Sequence, residues 1–123
     1  MSETTIAINW FEIPAQDVGR AAEFYGSVLQ TTIGEIPGPG GDPLKVFMGM
    51  DGPIGALMSG EGYSPGENGP LVYFGSDDID AVLSRVVAAG GEVLQGKTSI
   101  GDYGLIGLFI DSEGNRVALH SAA

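Results

Sequence analysis

The sequence repeats itself. Asp17-Val18-Gly19-Arg20-Ala21-Ala22 and Asp78-Ile79-Asp80-Ala81-Val82-Leu83 lie 61 positions apart, and each has the pattern of a helix start. Ala56-Leu57-Met58-Ser59 is matched 62 positions later by Ala118-Leu119-His120-Ser121. So long a period in a chain of 123 residues means two copies of one supersecondary unit. Each half, at about 60 residues, buries too little surface to be secure alone, so the halves are expected to share a core or a partner.

Each half reads strand, helix, strand, strand, strand. Residues 5–12 have the mixed alternation of a strand that Pro14 ends. Asp17 is a good N-cap, and apolar residues at 18, 21, 24, 25, 28 and 29 make one helical stripe. Strands are expected over 31–36, 44–50 and 54–58, with the Pro- and Gly-rich stretch 37–43 as a loop. Residues 59–70 connect the halves. The second half opens on a strand over 71–75. Its helix, capped by Asp77 or Asp78, carries Ile79, Val82, Leu83, Val86 and Val87 and stops at Gly90-Gly91. Strands follow near 92–96, 105–110 and 115–120, the last two joined by the turn Asp111-Ser112-Glu113-Gly114-Asn115. The expected organisation is therefore one domain over 1–123, with module one at 5–58, the connection at 59–70 and module two at 71–121.

With 16 acidic against 5 basic side chains, the net charge of −11 repels phosphate backbones and anionic lipid. Neither nucleic acid nor a membrane surface is an expected partner, and a cytoplasmic setting fits this charge. Cysteine is absent, which excludes disulfides, thiolate metal sites and a cysteine nucleophile. The first five residues have no basic and apolar run, so no signal peptide is expected, and no apolar run is long enough to span a bilayer. Gly38-Pro39-Gly40-Gly41 is not a phosphate loop, since no helix with a lysine follows. Ser59 and Ser121 lie in no nucleophile-elbow sequence, which argues against a serine hydrolase.

Four segments in this order and spacing carry a resemblance. They are Asp17-Val18 through Ala22-Glu23-Phe24-Tyr25, the helix start Asp77-Asp78-Ile79-Asp80-Ala81, Ala88-Ala89-Gly90-Gly91, and Phe109-Ile110-Asp111-Ser112-Glu113-Gly114-Asn115-Arg116. Together they resemble the vicinal oxygen chelate superfamily, which includes glyoxalase I, fosfomycin- and bleomycin-resistance proteins and extradiol dioxygenases. The resemblance covers essentially the whole chain. Leu119-His120-Ser121 is similar to the last strand of a small bacterial glyoxalase-like subgroup. The implied fold is α+β: two tandem βαβββ modules whose antiparallel and mixed sheets curl into a cleft, with the helices outside. Chains of this kind commonly pair, so a homodimer is implied.

In that superfamily the first and last strands of each module can supply four inward ligands to a divalent metal. By the family spacing these positions fall on Trp10, Ala56, Leu71 and Ala118, and a shift by one to Phe11, Pro70 or Val72 brings no donor. Alanine and leucine have no lone pair to offer, and His120 is the sole histidine, so no metal is expected there. Side chains two apart on a strand share a face. The implied cleft is then lined by Trp10, Glu12, Ala56, Met58, Leu71, Tyr73, Ala118 and His120, apolar and aromatic with three polar points. His120 and Glu12 are the candidate catalytic pair, an imidazole oriented by a carboxylate for acid–base work. Trp10, Met58, Leu71, Tyr73 and Ala118 are candidate binding residues, with Tyr103 at the rim and Tyr63 as a candidate lid. No cofactor is expected: Lys45, Lys97, Arg20, Arg85 and Arg116 are the only cations, and none maps inside the cleft.

Three readings follow. One is a metal-independent glyoxalase-like protein acting on or binding a small oxygenated molecule in an apolar cleft, with lyase or isomerase chemistry through His120 and Glu12. Another is a sequestering protein of the bleomycin-resistance kind, without catalysis. The last is a structural or regulatory dimer with a relict cleft. Fold alone does not decide among them.

Overall fold

The computed structural model describes residues 4–122. Module one runs β1 (Phe11–Pro14), α1 (Val18–Val28), β2 (Gly34–Pro37), β3 (Pro43–Gly49) and β4 (Gly52–Met58). Module two runs β5 (Tyr73–Gly75), α2 (Ile79–Val86), β6 (Glu92–Ser99), β7 (Leu105–Ile110) and β8 (Arg116–Ser121). Each module forms one four-stranded sheet, ordered β1-β4-β3-β2 and β5-β8-β7-β6. In both, the first strand lies parallel to the last, and the helix supplies the crossover that a parallel pair requires. The other pairs are antiparallel. The result is α+β with two mixed sheets and no closed barrel.

The helices begin where local chemistry places them. Asp17 accepts the backbone N–H of Arg20 at 3.0 Å, and Asp78 that of Ala81 at 3.1 Å, so Asp78 rather than Asp77 caps α2. The 3.6-residue stripe buries Ala21, Phe24, Tyr25 and Val28 on α1 and Ile79, Val82, Leu83 and Val86 on α2. Both stripes enter one core with Phe47, Leu57, Phe109 and Leu119. Phe74 of module two sits among module-one rings, with centroids 5.3 Å from Phe47, 5.8 Å from Phe11 and 6.0 Å from Tyr25. A shared aromatic cluster is how two units of marginal size stabilise each other.

The first strand departs from its expected span. Residues 4–10 are irregular and exposed, and pairing starts only at Phe11 opposite Gly55. A parallel extension would run along Pro53, which has no N–H to give. Pro14 closes β1 at an edge position, where a missing donor is tolerated. β2 begins later than expected, at Gly34. β6 runs on to Ser99, wholly exposed and with two register shifts against β7.

The turn between β7 and β8 clamps the modules together. The Glu113 carboxylate accepts the backbone N–H groups of Gln16 and Asp17, both at 2.9 Å, at the start of α1. It also takes Arg20 Nε at 2.7 Å and Nη2 at 2.9 Å. These donors, the Arg20 guanidinium first, hold its pKa down at about 2. Beside it the buried Asp111 accepts the Tyr25 hydroxyl and the side-chain amide of Asn115, which also donates to Pro14 O at 2.7 Å. Burial, with the Asp111 charge next to it, pushes the Tyr25 hydroxyl well above its ordinary pKa, so it remains a donor.

Candidate functional site

The sheet faces turned away from the helices carry the candidate residues. Strand register sets them in rows. In module two, Tyr73 lies beside Ala118 and Ala118 beside Leu108; one step on, Gly75 lies beside His120 and His120 beside Ile106. Ala118 and Leu108 are buried, so they form a floor, while Tyr73 is 50% exposed and stands above it. Tyr73, Gly75, Ile100, Ile106 and His120 line an open hollow of about 420 Å³.

His120 Nε2 lies 2.6 Å from the carbonyl oxygen of Tyr103, in the short helical turn Gly101–Tyr103 before β7. A carbonyl only accepts, so Nε2 carries a proton, and in the corresponding neutral tautomer Nδ1 is the bare nitrogen. The turn is held down by close contact. Gly104 has φ of 111°, and a Cβ there would lie 2.1 Å from Ser121 O. Glycine is thus needed both for its left-handed backbone and for lack of space.

A second hollow, about 410 Å³, opens where β1 meets the connection, bordered by Trp10, Glu12, Glu67, Leu71, Asn115 and Arg116. Here Glu12 accepts the Tyr63 hydroxyl at 2.9 Å and the Trp10 indole N–H at 3.4 Å. The bond to Glu12 raises the Tyr63 pKa, and it ties the glycine-rich connection to β1.

The residues picked from the sequence therefore divide. Trp10, Glu12 and Leu71 border the inter-module hollow; Tyr73 and His120 border the module-two hollow. Met58 and Ala118 border neither, Met58 being half-buried and Ala118 fully buried. Tyr103 contributes its carbonyl, while its ring is 80% exposed. No hydrogen bond joins Glu12 to His120: the carboxylate is engaged by Trp10 and Tyr63, the imidazole by Tyr103. Ile100 and Ile106 were not singled out from sequence. Ile106 was within reach, because closing the turn at Ile110–Arg116 sets Ile106 opposite His120.

The four family ligand positions do not fit a divalent ion. Ala56 and Ala118 are buried methyl groups, Trp10 and Leu71 offer no lone pair, and among the described residues no three His, Cys, Asp or Glu side chains cluster. No described helix is long and apolar enough to cross a membrane.

Comparison with known proteins bears on the same features. The profile of the family described as Glyoxalase/Bleomycin resistance protein/Dioxygenase superfamily matches residues 7–119. CFP32 of Mycobacterium bovis, provisionally named a glyoxylase, is 30% identical over 117 residues, covering 93% of this chain and 45% of CFP32. The anthracycline biosynthesis protein DnrV of Streptomyces peucetius is 29% identical over 124 residues, with 89% and 45% covered. The chain thus spans a little under half the length of these relatives. Among solved structures, the antibiotic binding protein TnmS3 from Streptomyces sp. CB03234 superposes with a TM-score of 0.74 at 21% identity, covering 99% of this chain and 100% of that one.

Proposed function

The chain belongs to the Glyoxalase/Bleomycin resistance protein/Dioxygenase superfamily, and from that premise we propose that it binds a small, oxygenated, partly aromatic molecule without a metal, in the module-two hollow. The observation that carries this is the make-up of that hollow: an exposed tyrosine ring and two isoleucines around a single imidazole. Such a surface offers a stacking face and one hydrogen-bonding point, which suits a planar ligand bearing a carbonyl or hydroxyl. An antibiotic binding protein of the same fold and an anthracycline biosynthesis relative make a polycyclic oxygenated ligand the first to try.

His120 favours a second reading, turnover by proton transfer. Its Nε2 is committed to Tyr103 O, so Nδ1 of the neutral ring is the nitrogen that takes a proton from a bound substrate. Glu12 has no part in this step, being engaged by Trp10 and Tyr63. The proposal includes a homodimer, since Ile6 and Ile8 lie almost fully exposed beside Trp10, and a cytoplasmic setting.

An anthracycline titration followed by the ligand's own fluorescence tests the binding. Saturable quenching is expected, with affinity about tenfold weaker in Tyr73→Ala, the usual scale for losing one aromatic contact. Under the sequestering reading His120→Ala still binds; under the catalytic one it binds but loses turnover. Stoichiometric divalent metal in protein purified without chelator, or unchanged affinity in Tyr73→Ala, overturns the proposal. Light scattering in solution reads the dimer.

A further inference from the structure

The halves differ most where the β7–β8 turn packs, and the difference leaves a hollow in the other half. With the helices offset by 61 and the last strands by 62, Asp17 corresponds to Asp78, Arg20 to Ala81 and Phe24 to Arg85. Phe109, Ile110 and Arg116 correspond to Phe47, Met48 and Ile54. Between Ile110 and Arg116 the intervening residues fold inward over the start of α1, where Glu113 meets Arg20. Between Met48 and Ile54 the same number of residues stays zipped, with Met48 opposite Pro53 and Gly49 opposite Gly52. The hairpin therefore tips outward, and Met50 is 99% exposed. Among the described residues, none covers the start of α2 as Glu113 covers that of α1. A cavity of about 490 Å³ remains there.

Its lining suits one kind of occupant. Phe47, Met48, Ile54, Phe74 and Val82 make an apolar wall. Thr31, Ser76, Asp78 and Arg85 stand along the polar side. Arg20, Lys45 and Lys97 each pair with a carboxylate. Arg85 does not: half-buried in a chain of net charge −11, it gives only Nε, to Val28 O at 3.0 Å. Its two Nη groups have no acceptor among the described residues. A guanidinium so placed is a fork for a carboxylate. Asp78, in the same wall with its carboxylate capping Ala81, repels a second negative charge.

We propose that this cavity binds a small amphipathic monocarboxylate, its apolar body against Phe47, Phe74 and Val82 and its carboxylate on the Arg85 Nη groups. The ligand takes the place that the Glu113-bearing turn takes in the other half. Of the residues named for the two sites, only Gly75 borders both this cavity and the Tyr73–His120 hollow, so the two proposals stand or fall separately.

Octanoate is the probe, titrated into the intact protein with amide and arginine side-chain NMR resonances followed alongside calorimetry. Saturable shifts are expected at Thr31, Ala81, Val82 and the Arg85 Nε–H, with octanamide binding about tenfold more weakly because it lacks the charge. Arg85→Gln is expected to weaken octanoate by a similar factor. Ala81→Phe, which fills the cavity from α2, is expected to abolish binding while the rest of the spectrum persists, and it decides the matter if Arg85→Gln fails to fold. Equal affinity for octanamide, full affinity in Ala81→Phe, no saturation at millimolar octanoate, or shifts confined to Tyr73 and His120 would each overturn the proposal.

Discussion

Replacing Glu113 by glutamine isolates the charge in the inter-module clamp. The amide has the carboxylate's shape, and its oxygen still accepts from Gln16, Asp17 and Arg20 Nη2; what goes is the charge, with the acceptor for Arg20 Nε and Ser112 Oγ. The folded-state pKa of about 2, against an ordinary 4.5, sets a ceiling of about 3 kcal/mol at neutral pH, at 1.36 kcal/mol per unit. Glu113 has no exposed side-chain surface, but Arg20 is 52% exposed, so water screens the pair and about 1–2 kcal/mol is the expected loss. Because the folded pKa is depressed, the contribution is fully present above about pH 5 and is lost as pH falls toward 2. Urea unfolding of both proteins across pH 2.5–7.5 tests this, the range being chosen to span about the two pKa values. The gap between them should be flat at the upper end and fall below about half its value near pH 3. A gap that does not depend on pH would show that the amide perturbs packing and that the charge pair contributes nothing.

Two further changes probe the same scaffold. Tyr25→Phe removes a buried donor and leaves Asp111 Oδ2 with Asn115 alone, so a loss of about 1–3 kcal/mol is expected by thermal unfolding; an unchanged melting point would refute the role given to this bond. Gly104→Ala forces a Cβ against Ser121 O from a left-handed backbone and should release the turn over His120. Faster exchange of the amides of Ile100 and Gly104, whose bonds close that turn, would register it, and unchanged protection would count against it.

What was legible in the sequence was what local chemistry decides. The cap at Asp17, the helix stripes apart from Val87, which lies past the end of α2 and is exposed, and the turn 111–115 each follow from a few adjacent residues, whereas Asp77 and Asp78 stood open as the cap of α2. The start of β1 was not legible, because it depends on which neighbour residues 5–10 would meet, and that neighbour contains Pro53. The site shows the same limit. Alternation set Tyr73 on the face of Leu71 and His120 on that of Ala118, and only the family resemblance brought the two strands to one cleft; in the structure Tyr73 and His120 border one hollow while Leu71 borders another. Alternation could not say that the connection would bring Tyr63 onto Glu12, or that the Gly101–Tyr103 turn would bring a carbonyl onto His120. Those contacts come from loops, whose path has no periodicity to read.

In a duplicated unit, a site can differ between halves only where the copies have diverged. The two middle rows correspond: Glu12 beside Ala56 in module one, Tyr73 beside Ala118 in module two. Alanine stands on the last strand of both, so neither half keeps a donor there. The next rows pair Pro14 with Met58 and Gly75 with His120. Module one thus closes its face with a ring and a thioether, while module two leaves a gap at glycine beside an imidazole. The one carboxylate on these rows, Glu12, lies in the other half and is already engaged by two donors. On the proposed reading, a proton moved on these rows would pass through His120, because module two sets an imidazole beside the opening at Gly75 while the module-one carboxylate is already engaged.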